Sequence, residues 1–325
     1  MEHRAKISVV LVLMMAVILM SGCKEKQSNS WIRINQLGYV PQTIKVAVLA
    51  SKTEMDVSSF TIHDANTEAV LETFSTVDFK GNYGPFSSAH RLDFTSFQEE
   101  GKFYLSANGV RSPIFQIDKN VYDKSADFLL KYMRQQRCGF NPYLKDSCHT
   151  TDGFIVYHPE KQDGTPIDVV GGWHDATDYL QYLPTSANAV FQLLLAYREN
   201  PAAFNDMYLS NGLEGKNGIP DVIDEAKFGM DWLLKMNPEP GEYYNQIADD
   251  RDHAGFRLPN QDSVVYHENF EGRPVYFING EPQGLLKHKN RTKGVSSSAG
   301  KFASAFAMGA AVLTEFYPDY AAALG

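Results

Sequence analysis

Two hydrophobic periods divide the chain. From residue 31 to 118, short apolar stretches alternate with polar positions, the two-residue repeat of strands with one buried face. Lys45 to Ala50, Phe60 to His63, Arg91 to Phe94, Lys102 to Leu105 and Ile114 to Ile117 read as strands. Asp64-Ala65-Asn66 punctuates the second of them, and Asn108-Gly109 is the dipeptide that most favours a tight hairpin. Short strands at this spacing predict a small β-sandwich, and no cluster of ionisable residues marks it as a reaction site.

After Asp118 the period lengthens to that of a helix. Tyr122, Ala126, Leu129 and Met133 predict a first amphipathic helix. Ala187, Val190, Phe191, Leu194 and Leu195 predict a second, ended by Asn200-Pro201. Val222, Ile223, Ala226, Met230, Leu233 and Leu234 predict a third, opened after Pro220 and stopped at Asn237-Pro238. Phe302, Phe306, Ala310, Leu313 and Tyr317 predict a fourth, ended before Pro318. The loops between them are long and rich in Gly, Asp, Tyr and His, as loops that carry chemistry usually are. The expectation is an all-helical second domain with its chemistry on loops. Four helices with such large loops, followed only by Asp319 to Gly325, make a poor closed core.

The first residues follow a third pattern. Arg4 and Lys6 precede an apolar run of 14 residues, Ile7 to Met20. That run has the length of a signal-peptide core and is short for a bilayer span of about 20 residues. Met20-Ser21-Gly22-Cys23 resembles the lipobox of bacterial lipoproteins, with Cys23 the lipidated first residue of the mature chain. The expectation is an exported lipoprotein, periplasmic or cell-surface, held to the membrane by its lipid alone, with residues 24–30 as a tether. The expected domains are then 31–118 and 121–325.

Composition narrows the partners. The 325 residues carry a net charge of -9 and 43% hydrophobic residues, enough for a substantial core. A nucleic-acid partner is excluded for want of a basic face. Lys287, Lys289, Arg291 and Lys293 form a short basic run that reads as a solvated loop. The acidic balance suits neutral glycans better than anionic ones.

The densest chemistry lies at Asp168 to Tyr179, DVVGGWHDATDY. Asp175 and Asp178 stand three apart, a spacing that on a helical turn puts both carboxylates on one side, suited to holding and activating a water. The competing explanation is capping of the helix that begins near Pro184, or pairing with an Arg. Trp173 and Tyr179 offer flat faces for sugar rings. A second constellation is Cys138, Cys148, His149 and His174, a donor set for a closed tetrahedral zinc site. A Cys138–Cys148 disulfide and two unpaired core cysteines fit the spacing as well. Asp249 to His253 reads either as a cleft wall, with Asp252 and His253 facing substrate, or as an ion-paired loop. Asp221, Asp224 and Glu225 suit a helix dipole. Ser296-Ser297-Ser298 suits a cap of the fourth helix better than a nucleophile.

Taken together these motifs resemble glycoside hydrolase family 9. Trp31-Ile32-Arg33-Ile34-Asn35-Gln36-Leu37-Gly38-Tyr39 is similar to the start of the immunoglobulin-like module of one branch. Arg134 to Gly139, Cys148-His149, Asp152-Gly153, Gly171 to Ala176, Ile219-Pro220-Asp221, Trp232 to Met236 and Ala299 to Ala303 are similar to that branch's catalytic domain. The resemblance implies an immunoglobulin-like β-sandwich followed by part of an (α/α)6 barrel, and inverting hydrolysis of β-1,4-glucan or a related β-glycan. It implies Asp178 as general base, Asp175 as its partner on the water, and a structural zinc on Cys138, Cys148, His149 and His174. Calcium occurs in the family but has no placed ligands here. Thr177 replaces a Gly common in this turn. The family's general acid, a Glu near the end of the catalytic domain, has no counterpart, and the helical domain is about half the family's length. The expectation is therefore that the acid lies beyond Gly325 and that this polypeptide alone is inactive or poorly folded. The rival expectations are a non-catalytic glycan-binding lipoprotein and a zinc-dependent hydrolase. The latter is disfavoured because a donor set of four Cys and His leaves no open metal position.

Overall fold

The computed structural model describes residues 28–281 and 294–325; Cys23 with its lipobox and the basic run at Lys287–Lys293 lie outside them. The chain divides into two compact units, with the boundary between Tyr122 and Asp123.

The first unit holds strands β1 (Ser30–Arg33), β2 (Val46–Ser51), β3 (Phe60–Asp64), β4 (Val70–Phe74), β5 (Val77–Tyr83), β6 (Phe86–Asp93), β7 (Gly101–Ala107), β8 (Val110–Arg111) and β9 (Phe115–Ile117). They form two antiparallel sheets. One has the order β1-β2-β6-β5; the other runs β4-β3-β7-β8, with β9 also on β7. Alternation sends Ile32, Leu49, Ile62, Leu92, Leu105 and Ile117 into one core between the sheets. Asn108 (φ 47°) and Gly109 (φ 76°) both sit in the left-handed region, as a type I′ hairpin between β7 and β8 requires. Strands β4 and β5 escape the sequence pattern because they are edge strands with mostly exposed residues.

The second unit contains α1 (Ser125–Gln135), α2 (Leu183–Glu199), α3 (Asp221–Lys235), α4 (Val295–Leu313) and α5 (Pro318–Leu324). Helices α2, α3 and α4 share a core through Val190, Leu194, Ala226, Met230, Phe302 and Ala305. Three expectations need correction. On α1 the buried positions are Leu130 and Arg134, while Leu129 is 68% exposed. Leu129 instead borders an apolar groove of about 510 Å³ between α1 and α2, with Met133, Leu193 and Phe204. Pro318 does not merely end the fourth helix; it opens α5 at the first helical position, where its missing N–H costs nothing. Ser296 to Ser298 lie inside the first turn of α4, whose cap is Gly294.

The unit is not all helical. Residues expected as loop form a hairpin of β10 (Gly139–Asn141) and β11 (Asp146–Cys148). They also form a four-stranded sheet of β12 (Phe154–Val156), β13 (Gln181–Tyr182), β14 (Tyr244–Ile247) and β15 (Pro274–Phe277), ordered β12-β15-β14-β13. These strands have two to four residues, too few for a period-two signal to stand out. Among the described residues no helix is long and apolar enough to cross a membrane.

The acids of α3 do more than complement its dipole. Asp221 accepts the backbone N–H groups of Met207 and Tyr208 at 3.0 and 2.9 Å. Glu225 is fully buried against Arg137, with hydrogen bonds of 2.8 and 3.2 Å, and accepts the Trp173 indole N–H at 2.8 Å. Four residues on, Gly229 has no room for a side chain: a Cβ there would stand 2.1 Å from the Trp173 ring. Helix α3 thus fixes the start of the DVVGGWHDATDY loop.

Candidate active site and metal centre

The loop carrying Asp175 and Asp178 is built from its backbone outward. Gly171 (φ 125°) and Gly172 (φ 68°) take conformations closed to most residues, and a Cβ on Gly172 would strike the Trp232 ring at 2.7 Å. The Cys138 N–H donates to Gly172 O, and the His174 N–H to Gln136 O, each at 2.8 Å. These two bonds zip the loop to the segment that follows α1. Residues 175–178 are then a series of bends rather than the helical turn expected from their spacing. The Asp175 N–H closes that loop by donating to Leu180 O at 2.8 Å.

The two carboxylates have different surroundings. Asp178 Oδ2 lies 2.6 Å from His253 Nε2, and His253 Nδ1 lies 3.6 Å from Asp250 Oδ1. Asp178 Oδ1 is buried and has no protein partner. Burial raises the pKa of Asp175; a hydrogen bond from Thr185 opposes the shift and the charge of Asp178 adds to it. The structure therefore brings Asp175, Asp178 and His253 together.

It does not bring three other predicted contacts to the cleft surface. Trp173 is 4% exposed, and its indole is spent on Glu225 and the packing against Phe228 and Gly229. Tyr179 is 5% exposed, its ring against His149 and His174 and its hydroxyl donated to Arg257 O. Asp252 is completely buried, accepting from the Tyr179 N–H and the Arg257 guanidinium. None of the three presents a free face to a sugar, because each is an anchor for the loop instead. The aromatic that this region does offer is Phe256, 92% exposed, three residues after His253. Flanked by a glycine and an arginine, it carried no periodic signal.

The four Cys and His residues converge. One ligand atom from each of Cys138, Cys148, His149 and His174 lies within 4.8 Å of the others. The β10–β11 hairpin does this by placing Cys148 directly opposite Gly139, next to Cys138. Both thiols are free and buried, so the disulfide alternative is not the one adopted. His149 Nε2 is bonded to Asp262 Oδ2 at 3.0 Å, while its Nδ1 is buried and has no partner. That is the orientation of a metal-ligating imidazole steered by a carboxylate. Burial lowers the pKa of His174, favouring the neutral form that ligates. The cluster is a fitting metal site. Asp262, which also accepts from Arg257 Nε at 2.7 Å, is 113 residues from His149 and gave no sequence signal.

Behind both sites stands Arg273, 2% exposed. Its guanidinium holds Asp152 through bonds of 2.6 to 3.1 Å, Gln181 Oε1 at 2.6 Å, the Tyr179 carbonyl, and Cys138 Sγ at 3.5 Å. It lies just before β15, in a segment with no motif.

The fold and sites so far define a two-unit protein: an immunoglobulin-like β module, then a helical domain whose loops gather carboxylates beside a Cys/His cluster. Comparison with known proteins completes the assignment. The model of glycosyl hydrolase family 9 matches residues 122–325, and that of the cellulase N-terminal ig-like domain matches residues 27–112. The chain belongs to glycosyl hydrolase family 9. It is 30% identical over 243 residues to a cellodextrinase of Butyrivibrio fibrisolvens, covering 71% of this chain and 42% of that relative. A solved metagenome-derived family 9 endoglucanase superposes with a TM-score of 0.66 at 30% identity, over 91% of this chain and 52% of the other. A Zn-binding triple mutant of the family 9 endoglucanase J30 superposes with a TM-score of 0.67 at 27% identity, over 88% of this chain and 50% of the other. The chain thus spans less than half of that curated relative and about half of the solved chains.

Replacing Arg273 by Met should destabilise the protein by about 3–5 kcal/mol, since it leaves Asp152 charged and buried without a partner. The Arg273→Met, Asp152→Asn double variant should recover part of that loss in urea unfolding. Equal stabilities of the single and double variants would show that the pair is not coupled.

Proposed function

We propose that this chain carries the water-activating side of an inverting glycosidase that hydrolyses β-1,4-glucan or a related β-glycan. The observation that carries the proposal is the asymmetry of Asp178. One oxygen is fixed by His253 and the other is buried without a protein partner. A buried carboxylate oxygen needs a donor, and a water held there is aligned to lose its proton to Asp178. Asp175 supplies the second acceptor for that water. Inverting hydrolysis places such a base roughly 6.5–9.5 Å from an acid across the glycosidic bond; the base alone is assigned here. A module that only bound glycan would have no use for a base held in this way. The substrate class is inferred from the names of the cellodextrinase and endoglucanase relatives.

The helical unit fits part of an (α/α)6 toroid. Supporting this are the consecutive packing of α2, α3 and α4 and the apolar groove between α1 and α2, which a further helix would cover. The metal proposed for Cys138, Cys148, His149 and His174 is zinc, which favours four-coordinate thiolate and imidazole sites of this closed kind. Its role would be structural, joining the Cys138 and Cys148–His149 segments to the loop of Asp175 and Asp178. The solved Zn-binding triple mutant of the family 9 endoglucanase J30 is in keeping with this choice. Anchoring through Cys23 in the periplasm or at the cell surface belongs to the same proposal. It rests on the pattern of residues 4–23 and on the need of a polymer-degrading enzyme to meet a substrate too large to enter the cell.

Four measurements test these assignments. In a form of the protein that turns over soluble β-glucan, Asp178→Asn should lower kcat by about 10²- to 10⁴-fold, the worth of general acid–base catalysis, with little change in KM. Near-normal turnover would remove Asp178 from the role. Chelation should lower the melting temperature, and Asp262→Asn should weaken zinc affinity by about 10- to 100-fold. Loss of turnover with an unchanged melting profile would overturn the structural assignment. Metabolic labelling with a radioactive fatty acid should mark the protein and fail for Cys23→Ser; labelling that persists in the variant would exclude the anchor.

A further inference from the structure

We infer that the immunoglobulin-like unit has a saccharide-binding site of its own, alongside strands β5 and β6. A cleft of about 520 Å³ lies there, between residues 54–57 and strands β5 and β6. That is within the range of ligand pockets and large enough for one or two sugar rings.

The cleft has a fixed rim. Four side chains hold four carbonyls of one loop in succession. Ser87 Oγ donates to Lys52 O at 2.9 Å, and Ser88 Oγ to Thr53 O at 3.2 Å. His90 Nε2 donates to Met55 O at 2.9 Å, and Asn108 Nδ2 to Asp56 O at 2.6 Å. The loop backbone is therefore satisfied within the unit, and the Glu54 and Asp56 side chains are left to line the cleft. A rim ordered before binding loses little entropy when a ligand arrives.

The wall contains an acceptor in want of a donor. His90 is 2% exposed, and because its Nε2 must carry the proton given to Met55 O, its Nδ1 is an acceptor when the ring is neutral. That nitrogen is buried and has no partner. Over the His90 ring, at 5.1 Å between centroids, stands Phe79, which is 61% exposed although it lines the cleft.

The lining selects the ligand class. Among the described residues that line the cleft there is no Lys or Arg, so Glu54 and Asp56 would repel an anion. A purely apolar ligand would strand both carboxylates and Asn82. A pyranose offers what the cleft lacks: hydroxyl donors for the acceptors and an apolar ring face for Phe79. The ligand class is a neutral glycan. Only the choice of a glucan as first probe rests on the function proposed above.

The test uses the whole chain carrying Asp178→Asn, so that no bond is cut, in affinity electrophoresis through gels containing hydroxyethylcellulose or xyloglucan. This protein should be retarded. Adding Phe79→Ala, or Glu54→Gln with Asp56→Asn, should weaken retention by about tenfold, equivalent to roughly 1.4 kcal/mol, with unchanged melting curves. Equal retention of all variants would overturn the proposal, as would free migration of the parent in both polymers. A rise in melting temperature with calcium or zinc that Glu54→Gln and Asp56→Asn abolish would replace the glycan by a cation. In a form of the protein that turns over soluble β-glucan, Phe79→Ala should leave hydrolysis of a short soluble oligosaccharide unchanged. Retention that depends on Phe79, together with near-normal turnover of Asp178→Asn in such a form, would refute the catalytic reading and leave this one standing.

Discussion

The buried Arg273 guanidinium is the constraint on which the candidate site depends. It meets Asp152, the Tyr179 carbonyl, Gln181 and Cys138 at once. With Arg273 itself just before β15, those residues join four separate stretches of chain: the segment after α1, the turn before β12, the carboxylate loop with β13, and β15. An ion pair this deep adds little net stability, because desolvating both charges offsets most of their attraction. What it adds is uniqueness. A guanidinium has five donors in a fixed fork, and leaving any of them unpaired in the interior is costly. The loops can satisfy it in few arrangements, and the one adopted sets the Cys/His cluster beside the loop of Asp175 and Asp178.

The same logic sorts the many acids around the site. Glu225 is paired with Arg137, Asp249 with Arg251, Asp152 with Arg273, and both Asp252 and Asp262 with Arg257. Each of these buried carboxylates is held by a permanent charge and serves the architecture. Asp178 differs: its partner is the half-exposed His253, and one of its oxygens has none. Under the proposed function, the water-activating role falls to this carboxylate rather than to those that arginines hold.

Much of this was legible in the chain. The two periods separated the β module from the helices, and the boundaries of α2 and α3 followed from Pro, Asn and the apolar repeat, because core packing and caps act locally. The Asp175/Asp178 pair and the four Cys and His residues stood out as residue types in dense patterns. Trp173, Tyr179 and Asp252 were misjudged for one reason. Composition says that an aromatic or an acid lies near a site, but not whether its face is already occupied. Trp173 looks like a sugar platform until Glu225 and Gly229, more than fifty residues on, are brought against it.

The sequence by itself determined the β class of the first unit, the main helices of the second, the hairpin at Asn108-Gly109 and the supply of Cys, His and Asp side chains in dense patterns, since propensity, period and donor chemistry are properties of neighbouring residues. Only the tertiary structure decided the small sheet of β12 to β15, the burial of Arg273, the steering of His149 by Asp262 and the solitary oxygen of Asp178. Those depend on partners distant in the chain, and the free energy of burying a charge is fixed by what surrounds it and not by what precedes it.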